Sequence, residues 1–199
     1  MTAYVALLRA VNVGGTGKLP MSELRRLCED AGLRSVRTFI ASGNVAFLSD
    51  ADEAEVRAAL EKRLEAYAGK PVGVLVRTAA ELAEVLANNP FSEAPANRTV
   101  ALFTDDPLPA DALARAIGVR SERMRLGARS IYIAYGDGMA HSRLRIPAAR
   151  NGTARNMNTV AKLAEMAAAL GCGRSRCSAH AQVTGEAAER LLANNRSLR

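Results

Sequence analysis

The sequence predicts an α+β protein built from two ferredoxin-like halves, each of the β-α-β-β-α-β type, the second degenerate and followed by a C-terminal extension. Three observations predict it. Apolar runs too short for helices, such as Tyr4 to Leu8 and Ser130 to Tyr135, read as buried strands. Between them, apolar residues recur at helical spacing. The element order then starts again after a turn-rich stretch, NNPFSEAPAN (88–97).

Tyr4 to Arg9 is the first strand, and a polar, glycine-bearing loop from Val11 to Leu19 follows it. Pro20 suits the first position of a helix, where its missing N–H costs nothing. Leu24, Leu27, Cys28 and Ala31 make that helix's apolar stripe, and Gly32 stops it. Cys28 on the stripe reads as a core residue. Ser35 to Ala41 and Val45 to Leu48 form a hairpin around Ser42-Gly43-Asn44. Asp50 and Glu53 have capping-box spacing and open a helix with Val56, Leu60, Leu64 and Tyr67 inward, ended by Gly69. Val72 to Val76 is the fourth strand. Thr78 and Glu81 cap a short helix with Leu82, Val85 and Leu86 inward.

The second half begins with a strand from Thr99 to Thr104. Pro107 and Pro109 lead into an expected helix with Leu113, Ala116 and Ile117 inward. Glu122 to Leu126 and Ser130 to Tyr135 are short strands, and residues 139–156 read as a polar, basic loop. Asn156 or Asn158 caps a helix carrying Val160, Leu163, Ala164, Ala167 and Leu170, which Gly171 stops. Thr184 to Asn194 would be one more short helix. The expected organisation is therefore residues 1–88 as the first half with its trailing helix, 89–98 as a linker, 99–171 as the second half and 172–199 as a basic extension. The two halves repeat in pattern without convincing residue identity.

Composition narrows the function classes. Aromatics are 4% of 199 residues and Trp is absent, so the core must be aliphatic and a sheet-face RNA reader with exposed rings is disfavoured. No apolar run approaches the ~20 residues of a membrane span, and the N-terminus lacks the form of a signal peptide, so a cytoplasmic protein without membrane partners is expected. Three cysteines argue against a disulfide framework. The net charge of +7 is uneven: residues 1–142 hold 17 Lys/Arg and 17 Asp/Glu, residues 143–199 hold 10 and 3. That asymmetry suits an acidic partner or a solvated tail.

The loop after the first strand carries Asn12, Gly14, Gly15, Thr16, Gly17 and Lys18. It is not a P-loop, because Leu19 follows Lys18, and it lacks the dinucleotide-binding spacing. What remains is N–H donors, a helix start and a lysine, which suit an anion or a tight turn. Arg9 ends an apolar strand and must meet a carboxylate or face a pocket. Ser42 and Asn44 supply short donors at a hairpin tip, or simply make the turn. His141, Ser142 and Arg143, with Thr153, Arg155, Asn156 and Asn158, form a donor-rich segment free of carboxylates that abuts a helix N-terminus. Cys172, Cys177 and His180 fall short of the four ligands of structural zinc, and no metal or cofactor is expected. No hydrolase triad or zinc-protease motif is legible.

LLRAVNVGGTGKLPMSELRRLCEDAGLRSVRTFIASGNVAF, then NPF, SRL and TARNMNTVAKL, in that order over about residues 3–170, resemble the bacterial family called domain of unknown function 1697. The resemblance implies ferredoxin-like halves and no activity. Arg9, Asn12, Gly14, Gly15, Lys18, Ser42, Gly43, Asn44, Ser142, Arg143, Thr153, Arg155, Asn156 and Asn158 match its polar motifs. Met157 stands where the family pattern has Trp, which puts a stacking role there in doubt.

Three functions are expected to compete. The first is a phosphate-anion or nucleic-acid binding protein with its site in the cleft between the halves. The second is an enzyme on a small phosphorylated or nucleotide-like substrate, with His141 as acid/base. The third is a structural protein whose polar motifs lock the halves together.

Overall fold

A computed structural model describes residues 1–12 and 18–172 of the chain. The first apolar run becomes β1 (Thr2–Leu8), which is covered on both faces. Tyr4, Ala6 and Leu8 point to one cluster while Ala3, Val5 and Leu7 point to another. That two-sided burial is why the run is apolar throughout rather than alternating. β1 lies in a four-stranded antiparallel sheet of order β2-β3-β1-β4, with β2 (Arg34–Phe39), β3 (Asn44–Ser49) and β4 (Val74–Thr78).

One face of this sheet carries α1 (Met21–Asp30) and α2 (Glu53–Ala68). Leu24, Leu60 and Leu64 are fully or almost fully buried there, and each such side chain contributes ~2 kcal/mol. α1 has no side-chain cap, since Pro20 stands at its N-cap, so its apolar face holds it. α2 is capped differently from the expectation. Asp52 and Glu55, not Asp50 and Glu53, form the capping box; Asp50 lies outside the helix and pairs with the N-terminal amine at 3.1 Å. Gly69 closes α2 at φ +68°, a left-handed turn that glycine adopts without strain. Tyr67, expected inward, is 44% exposed.

The second sheet has the matching order β6-β7-β5-β8. Its strands are β5 (Thr99–Phe103), β6 (Glu122–Leu126), β7 (Ser130–Tyr135) and β8 (Thr153–Asn156). β8 corrects the sequence reading, which had this stretch as loop: its inward residues, Thr153 and Arg155, are polar and give no apolar signal. The expected helix with Leu113, Ala116 and Ile117 inward is also corrected. Residues 109–116 make separate i→i+3 turns, and Ile117, exposed, bridges Arg145 instead. Gly118, at φ +74°, lies so close to the Arg143 carbonyl that a Cβ would sit 2.4 Å from it.

Two further helices lie between the sheets. α3 (Ala79–Ala87) follows β4 with the expected Thr78–Glu81 capping box, and α4 (Met157–Gly171) follows β8 with Asn156 as N-cap. α4 lays Val160, Leu163, Ala167 and Leu170 in one cluster with Val5, Leu7 and Ala46 of the first sheet. Val85 of α3 meets Tyr132 and Ala134 of the second sheet. The described residues make an α+β arrangement of two antiparallel sheets and four α-helices. Among the described residues no helix is long and apolar enough to cross a membrane. The expected helix at 184–194 lies outside the described residues.

Candidate functional site

The end of β1 is pinned from several sides. The Leu8 N–H donates to the Gly43 carbonyl and the Arg9 N–H to the Gly73 carbonyl. Gly43, at φ +74°, is pressed against Leu8 and Val11, where a Cβ would sit 2.4 Å from a Val11 methyl. The Ser42-Gly43-Asn44 turn therefore needs its glycine for close approach as well as for φ. Just beyond, Ala10, Asn12 and Ile40 take φ of +51°, +55° and +47°. Such backbone is costly for non-glycine residues and concentrates at functional sites. The Asn12 amide ties this region together. Its Nδ2 donates to the Leu19 and Ala41 carbonyls at 3.0 and 2.7 Å, and its Oδ1 accepts from the Leu19 N–H at 2.8 Å. Gly14 and Gly15 lie outside the described residues.

Two clefts open at this point, and Arg9 lines both. One, of about 460 Å³, is walled by Leu64, Tyr67 and Ala68 of α2, by Pro71 and Val72, and by Ala10, Val11 and Leu19. Among the described residues its charged lining is Arg9, Lys18 and Lys70, with no carboxylate. The other, of about 510 Å³, lies between the halves, and its charged lining is Arg9 with Glu61, Asp105 and Asp106. Arg9 reaches across it, donating to the Arg150 carbonyl at 2.8 Å and to Asn151 Oδ1 at 3.3 Å. Two of the five guanidinium N–H donors are thereby engaged.

Arg155 stands behind this region rather than in it. It is 8% exposed, and each of its five donors has a neutral acceptor. Nε donates to Asn44 Oδ1, Nη1 to Thr153 Oγ1 and the Ala154 carbonyl, and Nη2 to the carbonyls of Leu8 and Ser42. No donor is left for a phosphate, which corrects the expectation that Arg155 faces a ligand. Burial alone pushes the guanidinium down to about 10, which leaves it charged at neutral pH. Asn44, fully buried, also donates to Ser42 Oγ and the Phe39 carbonyl.

A second buried arginine occupies the matching place in the first sheet. Arg77 opposes Val5 in register as Arg155 opposes Ala101, and each is followed by the N-cap of a helix. Arg77 Nη2 donates to the Thr104 carbonyl as Arg155 Nη2 does to that of Leu8. The Thr104 N–H in turn bonds the Arg129 carbonyl, as the Leu8 N–H bonds that of Gly43. The neighbours differ. Arg77, 2% exposed, lies 3.6 Å from Glu53 and 4.0 Å from Glu81. Arg129 joins the same two carboxylates, and Asp105 pairs with Arg57. The hydrogen bond from Arg129 and the surrounding guanidinium charges hold Glu53 below the usual carboxylate range.

The remaining candidates do not converge on Arg9. Ser142 Oγ donates to Glu122, which lowers that carboxyl, and Ser142 and Arg143 line a separate cleft of about 600 Å³ with Ile117 and Gly118. His141 is exposed and lines none of these three clefts. Thr153 is buried under Arg155, Asn156 accepts from the Thr159 N–H as N-cap, and Asn158 is exposed on α4. Met157 is buried in the core, where no ring could stack with a ligand. The structure thus brings together Arg9, Asn12 and Lys18, with Ser42 and Asn44 behind them. Sequence reasoning missed Tyr67 and Lys70 in the cleft, and also Arg77. A paired signal was present for Arg77: Arg77-Thr78 and Arg155-Asn156, each an arginine followed by a capping residue. Among the described residues no group of three or more His, Cys, Asp or Glu could hold a metal; Cys177 and His180 lie outside them.

Comparison with known proteins covers most of the chain. The family model described as a protein of unknown function, DUF1697, matches residues 1–132. The solved structure of a conserved bacterial protein from Streptococcus pneumoniae is similar at a TM-score of 0.70 and 26% identity, covering 83% of this chain and 98% of that one. No curated protein matches the chain.

Proposed function

Because the chain belongs to the family of unknown function DUF1697, whose description names no activity, we propose from the cleft itself that the protein binds a phosphate-bearing anion between Arg9, Lys18 and Lys70. The observation that carries this is the lining: among the described residues, three cations and no carboxylate in a cleft of about 460 Å³, within the size range of ligand pockets. Two features support it. Left-handed backbone at Ala10 and Asn12 beside the cleft is held by a dedicated amide. Arg155, with no carboxylate among its hydrogen-bond partners, adds an unneutralised positive charge bonded to the residue before Arg9. The shared strand order supports reading both halves as ferredoxin-like, the second without the two helices that cover the first.

The test is titration of the full chain with pyrophosphate at low salt by calorimetry. Lys18→Ala and Lys70→Ala should each weaken binding about tenfold, the loss of one charge-assisted hydrogen bond. Arg143→Ala, in a different cleft, should leave it unchanged. Equal weakening by Arg143→Ala, or no binding to the parent protein, refutes the site.

A second reading has one observation in its favour. Arg9 ties the halves through Arg150 and Asn151, as a purely structural arginine would. On that reading Arg9→Ala lowers the melting temperature and no anion raises it. No geometry favours an enzymatic step at His141.

A further inference from the structure

We infer that the anion held in this cleft is a phosphomonoester of a molecule that also carries a flat ring, a ligand of mononucleotide size rather than a nucleic-acid strand; the inference rests on the cleft being an anion site. The cleft is far larger than its charged part requires. Arg9, Lys18 and Lys70 could hold a phosphate by themselves, yet the solvent-open surface between them is apolar: Ala10, Tyr67, Ala68 and Pro71, over a buried floor of Val11, Leu19, Leu64 and Val72. A free phosphate or a sugar phosphate would leave that surface wet. A ring-bearing body removes it from water, and the gain scales with the apolar area covered.

Tyr67 is the group suited to receive such a ring. It sits on the last turn of α2, lines the cleft and is 44% exposed, the most exposed large apolar side chain of that helix. Gly69 then reverses the chain so that Lys70 and Pro71 return along the same cleft. One residue pair thus offers a ring face and a cation three positions apart. Stacking of a base on an exposed tyrosine is insensitive to which base it is.

The neighbouring cleft argues against a polymer. Beyond Arg9 its charged lining is Glu61, Asp105 and Asp106. Asp105 is neutralised by Arg57 and Arg129, but no hydrogen bond or ion pair engages the Asp106 carboxylate among the described residues. A chain of phosphates leaving the first cleft across Arg9 would run onto these carboxylates. α2, which forms the wall, mixes Glu61 and Glu65 with Lys62 and Arg63 and offers no basic track. Strand-binding grooves need one that follows the backbone. A single terminal phosphate ends at Arg9 and meets no such repulsion.

The test uses the full-length protein and five probes: AMP, UMP, ribose 5-phosphate, adenosine and a single-stranded oligonucleotide. AMP or UMP should bind at least tenfold more tightly than ribose 5-phosphate and than adenosine. Tyr67→Ala should cost the nucleotide about tenfold and leave ribose 5-phosphate unchanged, while Tyr67→Phe should restore the nucleotide. Equal binding of AMP, UMP and ribose 5-phosphate, all weakened by Lys18→Ala, overturns the ring and leaves the anion site standing. Failure of every phosphate probe removes both. Oligonucleotide binding tighter than either nucleotide, falling steeply with salt, overturns the small-ligand assignment in favour of a strand.

Discussion

Arg77 and Arg155 hold matching positions in the two sheets, and each crosses from its own sheet to a carbonyl at the end of the other sheet's first strand. Their surroundings are opposite. Arg77 is embedded among Glu53, Glu81 and Arg129, a network in which positive and negative groups alternate. Arg155 has only amide, hydroxyl and carbonyl oxygens. The second half lacks the helix that would bring an equivalent of Glu53, and Thr159 stands where α3 has Glu81. The difference teaches that a buried guanidinium can be retained by hydrogen bonds alone, and that this choice leaves its charge unneutralised. That charge lies on the side of the molecule where Lys18 and Lys70 line the cleft.

The comparison breaks most directly with matched substitutions. Arg77→Met leaves two half-buried carboxylates facing Arg129 alone and should destabilise by ~3–5 kcal/mol. That is a fall in melting temperature of about 6–20 °C for a chain of this size. Arg155→Met strands neutral acceptors but also removes an uncompensated charge, and should cost ~1–3 kcal/mol. Equal costs by thermal denaturation would mean that the carboxylates add nothing.

Acid should separate the two arginines next. Arg129's hydrogen bond and the nearby charges lower Glu53 from its ordinary 4.5. A carboxyl lowered by folding contributes stability that is present above about pH 4.5 and lost as pH falls through its folded value. Glu53→Gln should therefore lower the melting temperature at neutral pH and flatten its fall as the pH drops below the ordinary 4.5. Arg155→Met should keep the parental acid slope, because no carboxylate is bound to Arg155. A parental slope in Glu53→Gln would place the acid sensitivity elsewhere.

The smallest effect should come from Glu81→Gln. Its amide oxygen can still accept from the Thr78 N–H and preserve the capping box, but the ion pair with Arg129 goes. A loss of ~1 kcal/mol is expected for a half-exposed charge-assisted hydrogen bond. A loss as large as that of Arg77→Met would show that the Glu81 charge carries the network, since the cap is kept.

Much of the architecture was legible because burial and periodicity leave marks. β1 and β7, covered on both faces, read as unbroken apolar runs, and Thr78 and Asn156 announced their helices. β8 was not legible, because Thr153 and Arg155 point inward and look like surface residues. The stretch through Leu113 and Ala116 has helical spacing, but pairing of Ile117 with Arg145 and the Gly118 contact override it. Asp50 and Asp52 offer the same spacing to a following glutamate, and spacing alone does not choose between them. In the site, Arg9 and Lys18 followed from chemistry alone. Tyr67 was hidden by its place on an apolar stripe, and Lys70 by looking like any surface lysine. Ser142 and Arg143 were drawn in by charge and donor count, which carry no information about direction.

The position of α4 has a consequence for any attempt to divide the molecule. By chain order it closes the second half, yet its apolar face completes the core of the first sheet. Each piece cut in the 88–97 connection would lack part of its own interior. Such pieces should fold only as complementing fragments, the noncovalent partners of a split protein, with the connection keeping the two at high effective concentration.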